Sequence, residues 1–241
     1  MAETVVTARA LTRTFGNFTA VDSIDFDVSR GEIFGFLGPN GAGKTTTVRI
    51  LCCLLRPSSG ECLVDGINVR KNPEQVKQRI GYMSQRFSLY EDLTVGENLQ
   101  FFGGVYGLKN DQIAARMKEL FSLLALGEVE RRKTAELPLG WKQRVALASA
   151  VIHRPKIVFL DEPTSGVDPI SRRNFWALIH SMAFQGTTVF VTTHYMEEAE
   201  YCDRISIMEA GKIIALGSPG ELKKQFAKKS VEEVFVHLLT E

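Results

Sequence analysis

Long apolar runs are missing from this sequence. The longest near-apolar stretch runs from Val145 to Ile152, far short of the roughly 20 residues that a membrane-spanning helix needs. If the protein serves a membrane, another chain does the spanning. Cysteine is scarce: Cys52, Cys53, Cys62 and Cys202 form neither a C-x-x-C pair nor a zinc-ligand pattern, which predicts free thiols in a reducing compartment. Charge of one sign is not in excess, with 29 Lys+Arg against 28 Asp+Glu. That balance offers no basic footprint for nucleic acid and no acidic tail. Internal repeats, low-complexity segments and linker-like Pro/Gly/Ser runs are also absent. The start, Met1-Ala2-Glu3-Thr4-Val5, lacks a basic stretch followed by an apolar one, so no secretory signal is expected.

What is present is a 241-residue chain, 44% hydrophobic and 24% charged. It is long enough to bury a proper core, as one large domain or as a core with a smaller inserted lobe. Strand-like stretches lie at Val5–Phe15, Ile24–Val28 and Glu32–Leu37, and a Gly-rich loop leads into a helix expected over Lys44–Leu55. Arg56-Pro57-Ser58-Ser59-Gly60 supplies turn chemistry after it. Strand character returns at Glu61–Val69 and Ile80–Gln85. From about Thr94 to Ile152 the pattern is helical, clearest over Asp111–Leu126, with Ile113, Met117, Leu120, Phe121 and Leu124 at three- and four-residue steps. Beyond Pro155, Lys156–Leu160, Thr187–Thr193 and Arg204–Met208 read as short strands, with a helix at Ile170–Met182. Such alternation implies an α/β fold with a mostly parallel sheet. The simplest organisation is a single domain, with residues 1–85 and 155–241 forming the core and 86–154 forming a helical lobe.

Two constellations carry chemistry. Gly38-Pro39-Asn40-Gly41-Ala42-Gly43-Lys44-Thr45 fits G-x-x-x-x-G-K-[ST], the loop in which backbone N–H groups turn inward around phosphate oxygens. Glycine permits that backbone path, and the helix opening at Lys44 directs its N-terminal dipole at the anion. The pattern arises by chance in roughly 1% of chains this long, and its place between an apolar strand and a helix lowers that further. Lys44 is expected on the β- and γ-phosphates of ATP and Thr45 on Mg²⁺, with Thr46 next along the cradle. The second constellation is Ile157-Val158-Phe159-Leu160-Asp161-Glu162, an apolar run ending in two acids. A buried parallel strand delivers such residues to its carboxyl end, where ligands of α/β sheets bind. Asp161 can then hold Mg²⁺ and Glu162 can accept a proton from water. Read alone, the pair is equally a strand followed by a solvated acidic turn; the phosphate loop tips the choice.

Five further elements, in order, resemble the nucleotide-binding domains of ABC ATPases. Tyr82-Met83-Ser84-Gln85 resembles the Q-loop, Leu137-Pro138-Leu139-Gly140-Trp141-Lys142-Gln143-Arg144 stands where the L-S-G-G-Q signature is found, Ser165-Gly166-Val167-Asp168 resembles the D-loop, Thr193-His194 the switch histidine, and Phe15 the aromatic that stacks on adenine. The resemblance spans essentially the whole chain. It implies a P-loop NTPase core with an antiparallel β subdomain and an inserted helical lobe. It also implies Gln85 on Mg²⁺ and water, His194 on the γ-phosphate, and Gly140 on the nucleotide of a second ATPase domain, in a homodimer or heterodimer. Leu93–Leu99, Thr193–Ala199 and Gly211–Pro219 are similar to bacterial exporter ATPases of the drug, polysaccharide and lipid group. Those sit on the cytoplasmic face of the inner membrane beside a separate integral permease. Arg86-Phe87-Ser88-Leu89-Tyr90 is expected to grip that permease, or else to pack as satellite core. A soluble cassette acting on ribosomes or DNA is the second class, but the tandem domains, coiled coils and zinc modules usual there are lacking. A non-catalytic regulator is the third, and the filled positions Glu162, His194 and Gln85 count against it.

The signature departs from its family. Pro138 replaces the usual Ser, Leu139 the first Gly and Trp141 the Gln. Pro138 has neither hydroxyl nor N–H, and Leu139 adds bulk where close backbone approach is expected. Slow hydrolysis by a homodimer is one expectation; a tolerated variant with rearranged backbone contacts is the other.

Overall fold

A two-residue turn, Gly16-Asn17, opens the architecture. With Gly16 at φ +57°, it folds β1 (Thr4–Phe15) back on β2 (Phe18–Ser29) as an antiparallel ribbon in which Phe15 faces Phe18. The computed structural model describes residues 3–86 and 88–240. β4 (Ser59–Val64) and β5 (Ile67–Asn68) complete a four-stranded antiparallel sheet in the order β2-β1-β4-β5.

A second, six-stranded sheet carries β3 (Ile33–Leu37), β6 (Ile80–Met83), β7 (Ile157–Asp161), β8 (Thr188–Thr193), β9 (Arg204–Glu209) and β10 (Lys212–Gly217) in the order β10-β9-β3-β8-β7-β6. All its pairings are parallel except β9 with β10. Strands β3, β7 and β8 are buried along their whole length, as parallel strands covered on both faces must be. Alternate residues accordingly go to two cores. Phe34, Phe36 and Phe190 meet Phe26 of the antiparallel sheet, Phe159 lies against Phe190, and Phe36 and Phe190 stand edge to face at 4.8 Å. Leu37, Val158, Leu160, Val189 and Val191 pack on the helical side. Burying each such ring contributes about 1.5–3 kcal/mol.

Helix α1 (Lys44–Leu51) follows β3, and α2 (Pro73–Lys77) precedes β6. Between β6 and β7 the chain makes α3 (Val95–Val105), α4 (Asn110–Leu123) and α5 (Leu139–Val151). α3 starts on a Thr94–Glu97 capping box, and buried Asn98 ties Tyr90 to the helix through bonds with both its N–H and its carbonyl. α6 (Pro169–Phe184) links β7 to β8, α7 (Met196–Ala199) follows β8, and α8 (Pro219–Gln225) and α9 (Val231–Thr240) end the chain. The mostly parallel sheet, the antiparallel sheet and the helical insertion are thus all present.

Boundaries differ from expectation at several places. The first helix stops at Leu51 and not Leu55, because Cys53 turns left-handed at φ +57° and Leu54 and Leu55 both donate back to the Arg49 carbonyl. The second strand is twelve residues long, beginning at Phe18 and not Ile24, because its outer half is held by the hairpin rather than by an apolar run. α2, α7, β10, α8 and α9 come from segments without an expected element. Among the described residues, no helix is long and apolar enough to cross a membrane.

Candidate functional site

The carboxyl ends of β3, β7 and β8 meet at one place. After β3 the backbone passes too close to its neighbours for side chains: a Cβ on Gly38 would lie 2.4 Å from the Met208 carbonyl oxygen, and one on Gly43, itself at φ +103°, 2.5 Å from that of Ala20. Gly43 caps α1, whose first turn has neither a side-chain cap nor an acidic residue. The amides there are left for an external acceptor, and the positive end of the helix dipole faces the loop. Phe18, Ala20, Asn40, Gly41, Ala42, Gly43, Lys44, Thr45, Thr46, Gln85 and Glu162 line a cavity of about 340 Å³. A larger cavity of about 720 Å³ lies between α3 and α4, but it contains none of the loop's groups. Chemistry, not volume, marks the site.

Lys44 is only 4% exposed. Its Nζ donates to the carbonyls of Gly38 at 2.7 Å and Pro39 at 3.0 Å and stands 3.7 Å from Glu162 Oε1. Burial pulls its pKa down, partly offset by the Glu162 and Asp161 carboxylates. Asp161 closes β7 and accepts on one oxygen, Oδ1, from Thr45 Oγ1 at 2.9 Å and Thr192 Oγ1 at 2.7 Å. Burial pushes its carboxyl up, and the two hydroxyls pull it back.

Glu162 follows in the left-handed region at φ +48°, an uncommon conformation for a non-glycine residue. Thr192 holds it there, because the Glu162 N–H lies 2.9 Å from Thr192 Oγ1 and 3.2 Å from its carbonyl oxygen. The turn swings the Glu162 side chain into the cavity. There its Oε2 accepts from Gln85 Nε2 at 2.9 Å and lies 3.2 Å from His194 Nδ1. Backbone strain at a functional residue persists only where its surroundings over-determine it, and here they do.

The expected residues therefore do not all converge. Asn40–Thr46, Gln85 and Glu162 surround one cavity, with Gly38 and Pro39 joined through Lys44, Asp161 through Thr45 and His194 through Glu162. Phe15 stands apart at the hairpin tip, 45% exposed, with the Arg13 guanidinium 4.4 Å over its ring; its cross-strand partner Phe18 lines the cavity instead. Gly140 also lies elsewhere. It sits in the first turn of α5, where a Cβ would meet Ser171 Oγ at 3.3 Å. Leu139 Cδ2 is 3.3 Å from where a Cβ on Gly166 would be, so the start of α5 packs beside the turn at Gly166 and the first turn of α6. Asp168 caps α6, accepting from the N–H groups of Ile170 and Ser171 at 3.0 Å. Thr192 and Phe18 were not apparent from sequence, although Thr192 sits two residues before His194 in the same β run and faces Asp161 in register.

The arrangement suits a polyphosphate on a buried cradle, a cation beside Thr45 and Asp161, and proton transfer at Glu162. Comparison with known proteins agrees. Residues 21–165 match the family described as ABC transporter. The chain is 52% identical over 246 residues to the probable multidrug ABC transporter ATP-binding protein YbhF of Escherichia coli (strain K12), covering 98% of this chain but 42% of that protein. It is 40% identical over 235 residues to the daunorubicin resistance ATP-binding protein DrrA3 of Streptomyces coeruleorubidus, covering 97% of this chain and 74% of that one. Among solved structures it resembles a dimeric ATP-binding cassette in a post-hydrolysis state bound to ADP and Pi, with a TM-score of 0.80 and 26% identity over 88% of this chain and 98% of that one. The chain thus spans less than half of the first relative's length and most of the second's. With the phosphate loop, the two carboxylates and the six-stranded sheet in these positions, this chain belongs to the ABC transporter family, as one of its ATP-binding cassettes.

Proposed function

We propose that this chain hydrolyses ATP and drives a separate integral membrane permease, in the direction of export. One observation carries the reading: a glycine-permitted backbone cradle, a buried lysine and a carboxylate bonded to Gln85 face the same cavity. The relatives' names, multidrug transport and daunorubicin resistance, support export without specifying this chain's cargo. The domain reads as a core of residues 1–85 and 155–241 with the lobe 86–154 inserted. Two such cassettes, identical or not, pair around the nucleotide, at the cytoplasmic face of the membrane.

In this reading the α1 amides and Lys44 receive the phosphates, Lys44 exchanging two backbone carbonyls for phosphate oxygens. Phe15 and Phe18, on facing strands at the hairpin tip, are the aromatic faces available to adenine. Thr45, Asp161 and Gln85 fit Mg²⁺, because a buried carboxylate already sharing its oxygen with two hydroxyls is a hard-oxygen donor set. The ion supplies neutralisation of the β- and γ-phosphate charge. Glu162 takes the proton from the attacking water. Gln85 holds Oε2, which leaves Oε1 to accept it.

The test uses the full chain with Mg²⁺ and ATP. Glu162→Gln should bind ATP as before, lose about 10²–10⁴-fold in turnover, and accumulate an ATP-bound dimer. Lys44→Ala should instead weaken binding about ten- to hundredfold, the equivalent of a charge-assisted contact. A Glu162→Gln protein that hydrolyses ATP at the wild-type rate removes Glu162 from the role of base.

A further inference from the structure

Glu162 and His194 come from different loops, yet their side chains must meet within about 3 Å. Glu162 follows β7 and His194 follows β8, and a third, fully buried carboxylate lies behind both. Glu198 of α7 is 0% exposed. Its Oε1 accepts from Thr164 Oγ1 and its Oε2 from Thr193 Oγ1, each at 2.5 Å. Thr164 is two residues after Glu162, and Thr193 is one residue before His194. A single carboxylate therefore ties down both loops, one with each oxygen.

The ties continue outward. Thr193 Oγ1 donates to Glu198 and accepts the Tyr195 N–H at 3.0 Å, so the backbone on both sides of His194 is fixed through one hydroxyl. Arg172 of α6 places its Nε 3.6 Å from Glu198 Oε1 and its guanidinium 3.9 Å over the Tyr195 ring. Tyr195 in turn lies against His194, with ring centroids 4.2 Å apart. A carboxylate is costly to bury and is retained where it is fully satisfied. Here its partners are the two loops that carry the chemistry and the helix that begins at Asp168.

We infer that Glu198 is a positioning residue, setting the distance between Glu162 and His194 and linking both to the start of α6. This rests on the proposed ATPase reading for its kinetic consequence, but not for its structural one. Glu198 touches no reacting atom. Its effect on hydrolysis must therefore pass through Glu162 and His194.

The experiment is a double-mutant cycle in the full chain with Mg²⁺ and ATP. Glu198→Gln, which keeps the shape and loses the charge, should lower kcat about ten- to hundredfold, as expected for one charge-assisted hydrogen bond, and leave the KM for ATP within about twofold because the phosphate cradle is untouched. Thr193→Val should lower kcat similarly and lose its effect in a His194→Ala background, since it releases the His194 loop alone. Thr164→Val should keep its effect there, since it releases Glu162. Fully additive losses for Thr193→Val and His194→Ala, a KM that rises in step with the fall in kcat, or a Glu198→Gln protein with wild-type kcat would each overturn the inference. A wild-type chain without ATPase activity would sink the proposed function instead. The inference is then read from the imidazole Hε1 resonance of His194, identified by its loss in His194→Ala. That resonance is shifted by the Tyr195 ring and should move in Glu198→Gln but not in the exposed control Glu74→Gln. An unmoved resonance refutes it.

Discussion

The double change Pro138→Ser with Leu139→Gly restores the family signature at two positions, and the structure sets its effects on stability and activity in opposite directions. Pro138 is the N-cap of α5 and offers the helix no side-chain acceptor. Its φ of −56° and ψ of 155° suit a serine, whose hydroxyl would add about 1 kcal/mol, offset by about 0.4–1 kcal/mol of regained unfolded-chain freedom when proline is lost. Leu139→Gly has no such compensation. It loses about 1 kcal/mol of helix propensity and the contact with the Gly166 turn, from a side chain that is 43% exposed and so contributes about half of a buried leucine's 1.5–3 kcal/mol. The double variant should therefore be about 1–2.5 kcal/mol less stable, a fall of several degrees in Tm. Activity should move the other way. In the proposed pair of cassettes, a hydroxyl and a close backbone N–H returned to the γ-phosphate of the partner's nucleotide would be worth about 1.5–3 kcal/mol, a ten- to hundredfold rise in ATP-dependent dimerisation or in turnover. Thermal melting, sedimentation with and without ATP, and phosphate release measure the three quantities. If Tm falls as expected and neither dimerisation nor turnover rises, the signature is not weakened and Pro138-Leu139 works as it stands.

Two further outcomes follow from the packing. His153 donates through one ring nitrogen to the Ile80 carbonyl at 3.0 Å and stacks 3.5 Å from Tyr106, and burial lowers its pKa from 6.5 to about 4. A depressed histidine pKa means the unfolded chain binds more protons between those values, so this contribution is full above pH 6.5 and is lost as pH falls toward 4, up to about 3 kcal/mol; denaturant unfolding from pH 7 to 4 should show a shallower loss for His153→Phe than for wild type. Of the expected permease dock Arg86-Phe87-Ser88-Leu89-Tyr90, Phe87 lies outside the described residues, and Tyr90 is exposed and stands 4.7 Å edge to face from Phe101, also exposed; a Tyr90→Cys protein should crosslink to the permease in intact membranes, and no crosslink beside a working control pair counts against the dock.

The site was legible in the sequence where its chemistry is local. Gly38, Gly43, Lys44 and Thr45 lie within eight residues, and Asp161 and Glu162 are adjacent, so loop and strand end could be read directly. Thr192 and Glu198 could not be read that way. Their partners Asp161, Thr164 and Thr193 are brought to them by the register of β7 on β8 and by the short turn into α7. Phe18 entered the cavity through hairpin pairing with Phe15, again a matter of register. The end of α1 was hidden because Cys53 is not a residue type that announces a left-handed turn. The start of α8 does carry a local signal: Ser218 and Glu221 form a capping box with Pro219 at the first helical position, the S-x-x-E pattern that marks a helix N-terminus.

The place where the helical segment enters the sheet bears on how the chain folds. Ile80 of β6 pairs in register with Ile157 of β7, 77 residues further on, and everything between them is α3, α4, α5 and their connections. Joining two strands across so long a flexible loop costs about 4 kcal/mol of chain entropy, and β6 is an edge strand with a neighbour on one side only. That cost shrinks if the helices pack first, because a folded insert brings its two ends together before the strands meet. Gly81 sets the fit, since a Cβ there would lie 2.2 Å from the Ala150 carbonyl oxygen at the end of α5. Strand β6 and helix α5 can therefore close on each other only with glycine at position 81, which makes the edge of the sheet and the end of the helical segment one fitted joint. If the helices pack first, the Gln85–Glu162 hydrogen bond, which spans the same insertion, closes only once β6 has reached β7.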